Sequence, residues 1–85
     1  MKTVVKNKGN FINKLKDSIK NFVEENNIIG KIIIPSEPDT EGDYYIIVYA
    51  DNIKSFNKAL ELEEKLQRQL REKYGDNILI SIIPK

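Results

Sequence analysis

Three segments of this chain, residues 28–34 (IIGKIII), 44–50 (YYIIVYA) and 78–83 (ILISII), are apolar at nearly every position. A strand with one wet face alternates apolar and polar residues, because successive side chains point to opposite sides of a sheet. Strands that do not alternate ask for cover on both faces. Only two other segments carry a helical pattern, so the helices are too few to cover everything. A second copy of the chain is the expected cover for the remainder.

The first helix is read over residues 11–25. Phe11, Leu15, Ile19 and Phe22 recur at helical spacing, with Ile12 and Val23 widening the stripe. Gly9 is read as a break and Asn10 as the N-cap, with Asn26-Asn27 as the stop. Before it, Val4-Val5 sits in a basic segment that is either a short edge strand or a flexible arm. Strand 28–34 contains Gly30, which marks a bulge or a close backbone approach. Pro35 and Pro38 end that strand, and a short turn-rich loop joins it to strand 43–50 as a hairpin. The second helix starts at Asp51 or Ser55 and runs to Tyr74, burying Ala59, Leu62, Leu66 and Leu70 with Phe56 and Tyr74 at its ends. Gly75 fits the residue just past a helix, where positive φ is wanted. The expected fold is one α+β domain over residues 1–85, ordered (β)-α-β-β-α-β. It is a two-layer sandwich, ferredoxin-like if Val4-Val5 forms a strand and a related three-stranded variant if it does not.

Composition narrows the chemistry. The chain has no cysteine and no histidine. Disulfides, thiolate zinc sites, and Ser-His or Cys-His catalysis are therefore excluded. No segment has the apolar length of a membrane span or of a signal peptide core, so a cytoplasmic protein without membrane contact is expected. The formal net charge is +1, but it is unevenly spread. Residues 1–20 hold six lysines against Asp17, whereas residues 21–53 hold seven acids against Lys31. The second helix carries charge as its dipole prefers, with Glu61, Glu63 and Glu64 early and Arg68, Arg71 and Lys73 late. Glu61–Lys65 and Glu64–Arg68 fall at i,i+4. The first helix is reversed, with Lys14 and Lys16 near its expected start and Glu24 and Glu25 at its end.

Glu37, Asp39, Glu41 and Asp43 alternate through the loop 35–43. Carboxylates two apart followed by Gly42 are similar to calcium loops, but Pro38 and the missing downstream bidentate glutamate depart from that pattern. The other reading is a solvated hairpin loop that discourages edge pairing. The run Ile34-Pro35-Ser36, then Asp43-Tyr44-Tyr45, then a Glu-rich helix and a last strand resembles the minimal nucleotidyltransferase core. That family places Gly-Ser after one strand, to cradle triphosphate, and Asp-x-Asp at the head of the next, to bind magnesium. Ser36 matches the serine and Asp43 the first aspartate, while Pro35 replaces the glycine and Tyr45 the second aspartate. Proline offers no N–H to a phosphate, and one carboxylate holds magnesium poorly. The resemblance implies a catalytically dead copy that uses no metal and no cofactor.

Two surfaces remain. Tyr45, Ile47 and Tyr49 share one strand face, with Tyr44 on the other. Such tyrosines either stack single-stranded bases or pack in an interface, and the acidic loop beside them repels phosphate. Lys6, Lys8, Asn10 and Lys14 form a candidate anion site if Asn10 caps the first helix, giving a weak nucleic-acid or phosphate contact. The leading expectation is a non-enzymatic module that forms a homo-oligomer through Tyr45, Ile47, Tyr49 and neighbours on residues 78–83.

Overall fold

A computed structural model describes residues 2–85, with side chains described from Phe11 onward. The elements run α1 (Lys2–Glu25), β1 (Ile32–Ile33), β2 (Tyr44–Ala50), α2 (Phe56–Tyr74) and β3 (Ile78–Pro84). The fold is α+β, and of the two arrangements expected it is the three-stranded one. Val4-Val5 falls inside α1, so it adds no fourth strand.

The sheet order is β1-β2-β3. β1 pairs antiparallel with β2, Ile32 opposite Val48 and Ile33 opposite Ile47. β2 pairs parallel with β3 along its whole length, from Tyr44–Ile78 to Ala50–Pro84. Two neighbouring parallel strands need a crossover, and α2 supplies it. In a ferredoxin-like sheet a further strand would separate these two, so their direct pairing fixes the three-stranded variant.

α1 begins at Lys2 rather than at Phe11, which corrects the assignment of Gly9 as a break and Asn10 as a cap. A glycine inside a helix costs about 1 kcal/mol relative to alanine, and a helix of 24 residues absorbs it. Lys14 and Lys16 therefore lie in the middle of α1, away from its positive end. The last turn still lacks a basic residue.

The end of α1 explains why β1 is short. Asn27 adopts φ 55°, its N–H donates to the Glu24 carbonyl, and the Ile28 N–H reaches back to the Val23 carbonyl at 2.9 Å. This is a Schellman cap, in which the residue after the left-handed position packs on the last turn. Ile28 is accordingly buried. It is an anchor of the helix end and not the first residue of a strand, which trims the expected strand 28–34. The Asn52 side chain then ties the segment down, donating to the Asn27 carbonyl and accepting from the Ile29 N–H.

Gly30 sits against β2 at φ 157°. A Cβ there would lie 1.7 Å from the Tyr49 carbonyl oxygen. The glycine expected to mark a close backbone approach does so.

α2 starts and stops on local chemistry. The Ser55 hydroxyl caps it by accepting from the Lys58 N–H, and the Gly75 N–H donates to the Arg71 carbonyl at φ 99°. Phe56 is the first helical residue and points to solvent, 69 % exposed, so the buried stripe begins at Ala59 and not at Phe56. The expected Glu61–Lys65 and Glu64–Arg68 pairs do not close. Lys58–Glu61 and Arg71–Asp76 do, both among exposed side chains where such pairs add little.

Both helices pack on the same face of the sheet. Leu15, Ile19 and Phe22 of α1 and Ala59, Leu62, Leu66 and Leu70 of α2 meet Ile46, Val48, Ala50, Ile78, Ile80 and Ile82 in one core. Phe11 joins its rim through Tyr44 and Tyr74, with ring centroids 5.4 and 5.6 Å apart. The Tyr74 hydroxyl bridges the helices, within 2.9 Å of the Ser18 hydroxyl and donating to the Lys14 carbonyl.

Leu66 is 1 % exposed at the centre of this core. Leu66→Ala is expected to lower the unfolding free energy by about 2–5 kcal/mol in a urea titration. Gly30→Ala must push the β1 segment off Tyr49 and is expected to cost about 1–3 kcal/mol. A Gly30→Ala midpoint equal to wild type would mean that the approach of the two backbones has slack.

Candidate functional site

The parity of the strands divides the sheet. Even-numbered residues of β2 and β3 face the helices and are buried or half-buried. Odd-numbered residues face away, and among the described residues no element covers them. On that face Tyr45 lies opposite Leu79, Ile47 opposite Ser81 on one side and Ile33 on the other, and Tyr49 opposite Ile83. Tyr45 is 59 % exposed, Ile33 42 % and Ile83 40 %. The remaining apolar members, Ile47, Tyr49 and Leu79, are half-buried by their neighbours.

The expected interface residues Tyr45, Ile47 and Tyr49 are thus brought onto one uncovered face, with Tyr44 turned to the helices. Ile33, Leu79 and Ile83 complete the patch from the flanking strands. Ser81 gave a usable sign of which face stays wet, being the single polar residue within residues 78–83. The patch is apolar but not greasy throughout, since each tyrosine ends in a hydroxyl that tolerates water or a partner.

The two edges of the sheet are treated differently. The outer edge of β3 is sealed by side chains of α2. The Gln67 amide donates to the Ile78 carbonyl and its oxygen accepts from the Ile80 N–H at 2.9 Å. The Glu63 carboxylate accepts from the Ile82 N–H at 2.9 Å. These are the backbone groups that an unpaired edge strand offers to another chain. Among the described residues the edge of β1 carries no such seal. Of its two strand residues, Ile32 lines an open cleft together with Lys16, Lys20, Gly30 and Ile34.

The acidic loop is organised from within. One Asp39 carboxylate oxygen accepts from the Glu41 and Asp43 N–H groups, both at 2.9 Å, and the Asp39 N–H donates to the Asp43 carbonyl. Asn77 fastens the loop to β3 by donating to the Gly42 carbonyl, while its own carbonyl accepts from the Tyr44 N–H. Asp39 therefore acts as a turn former. Among the described residues no three carboxylates gather as metal ligands. Ser36 is exposed on the same β1–β2 connection and Asp43 is half-buried at its end.

Of the expected anion site, the side chains of Lys6, Lys8 and Asn10 lie outside the described residues. Lys14 is exposed on α1. Because α1 starts at Lys2, its free N–H groups are not at Asn10, and the capping geometry on which that site rested is corrected. No helix among the described residues is long and apolar enough to cross a membrane.

Comparisons of the chain with protein families, with curated proteins and with solved structures find no match.

Gln67→Leu keeps the size of the side chain and removes its hydrogen bonds, exposing two backbone groups of β3. Loss of about 1–3 kcal/mol is expected, the cost of leaving such groups unpaired. Light scattering of the concentrated variant should rise with time as the edge recruits other chains. Equal stability and equal scattering would show that water serves β3 as well as Gln67 does.

Proposed function

We propose that this chain is a non-enzymatic interaction module that self-associates through the uncovered face of its sheet. The observation that carries the proposal is the contiguous apolar set Ile33, Tyr45, Ile47, Tyr49, Leu79 and Ile83, left open by two helices that both pack on the opposite side. A patch of this kind on a small chain marks an interaction site. A two-fold arrangement would set the same patch against itself and bury both copies at once.

The edges support face-to-face packing over sheet extension. β3 has given three of its outward groups, the Ile78 carbonyl and the Ile80 and Ile82 N–H groups, to Gln67 and Glu63. Pairing β1 with β1 about a two-fold axis would bring the Lys16 and Lys20 of both copies together. Repulsion between like charges disfavours that contact.

The strength follows from size. Two strands of seven residues and the two-residue β1, about 4.8 Å apart and about 3.3 Å per residue long, give a footprint of at most about 14 by 23 Å. Even with side-chain relief, that is at the low end against about 800 Å² per partner in a standard interface. The expected association is therefore in the micromolar range, reversible with concentration.

Tyr45→Glu tests this without touching the core, since Tyr45 is 59 % exposed. Sedimentation equilibrium should give a wild-type mass that rises toward twice that of one chain at high micromolar concentration, and a Tyr45→Glu mass that does not. Wild type that stays a single chain throughout, or a variant that associates equally well, would remove this face as the interface.

A further inference from the structure

The unsealed edge of β1 has features that the face does not share. The Tyr49 N–H donates to the Lys31 carbonyl, so Lys31 and Tyr49 form a hydrogen-bonded pair. Pairs alternate along an antiparallel ladder. Ile32, one residue on and opposite Val48, therefore turns its N–H and C=O away from β2, to the outer edge of the sheet. Above that edge, on the helix side, stand Lys16 and Lys20 of α1, one helical turn apart and both exposed. No carboxylate lies within ion-pair distance of either among the described residues. Two unpaired lysines at i,i+4 repel one another and lower the stability of the helix slightly. Below them the cleft has an apolar floor, Ile32 and Ile34.

We propose that the β1 edge takes up an extended peptide of a partner protein by strand addition, and that the peptide alternates acidic and aliphatic residues. The alternation follows from the register. A peptide residue opposite Ile32 would use its own N–H and C=O to pair with Ile32, and its side chain would point to the same side as that of Ile32. That is the side of Lys16 and Lys20, where a carboxylate meets both ammonium groups. Residues between these would point to the other face and extend the apolar patch beside Ile33. Main-chain hydrogen bonds supply affinity in this mode and alternate side chains supply selectivity. The same lysines that disfavour a second copy at this edge favour an acidic strand.

The probe is a short fluorescein-labelled peptide alternating glutamate with valine, titrated by fluorescence anisotropy at low salt. It is expected to bind, and a peptide with lysine in place of glutamate is not. N-methylation separates strand pairing from simple charge attraction. Methyl groups on the glutamate amides should abolish binding, because those amides face Ile32, whereas methyl groups on the valine amides should be tolerated. Lys16→Glu combined with Lys20→Glu should weaken the glutamate peptide about tenfold or more and let the lysine peptide bind. A swapped preference cannot arise from misfolding, and the methylated peptides test the wild-type chain directly. Tyr45→Glu should leave the affinity unchanged, which keeps this edge distinct from the self-association face. No binding of the glutamate peptide at millimolar concentration would overturn the proposal. So would binding that survives methylation of the glutamate amides, or binding lost in Tyr45→Glu.

Discussion

Two helices cover one face of a three-stranded sheet, and here both lie on the same one. Every even position of β2 and β3 from Ile46 to Ile82 that is buried is buried by this choice. The parallel pairing of β2 with β3 enforces it. α2 is the crossover between those strands, so it must lie against them, and α1 comes to the same side through its Schellman turn and the Asn52 clamp. The odd positions are then left to solvent, although all of them but Ser81 carry aliphatic or aromatic side chains. The chain has spent its apolar residues on both faces and its helices on one.

The consequence is a small body with three distinct margins. The open face offers area without directed hydrogen bonds. The β3 edge is closed by Gln67 and Glu63, and the β1 edge is open but flanked by positive charge. Hydrophobic burial is proportional to area and blind to orientation, whereas backbone pairing fixes register. A face suits reversible self-contact, and an edge suits selection of a particular strand. The acidic loop 35–43 belongs to none of the three, because Asp39 is engaged in shaping its own turn.

What could be read from the sequence was whatever local chemistry decides. Ser55 and Gly75 bracket α2 because a hydroxyl cap and a positive φ are demands of single residues. β2 and β3 were legible nearly to the residue from their apolar runs, although Pro84, expected to close the last strand after Ile83, is itself the last residue of β3. The face shared by Tyr45, Ile47 and Tyr49 followed from a period of two. The start of α1 was not legible. Gly9 and Asn10 look like a break and a cap, and only the continuing ladder of a long helix outweighs them. β1 was overread because Ile28 has the apolar character of a strand residue while serving as the anchor of a helix cap. Neighbourhood was the largest gap. Nothing local says that β2 and β3 touch, and so nothing local could show that Glu63 and Gln67 serve a strand rather than the solvated face of their own helix.

Those two residues carry a point about periods. Gln67 reaches Ile80 and Glu63 reaches Ile82, so four residues back along α2 match two residues forward along β3. Four helical residues rise about 6.0 Å and two strand residues about 6.6 Å. The helix is thus a ruler almost commensurate with the strand beside it, gaining an error of only about 0.6 Å per rung. A row of glutamine-like side chains can stand in for a neighbouring strand over two or three rungs before the mismatch breaks the bonds. β3 needs no more than that. The imitation is also incomplete in one respect: a carboxylate only accepts, so Glu63 copies half of what Gln67 does, and the Ile80 carbonyl is the place where a glutamine at that helical position would have had something further to hold.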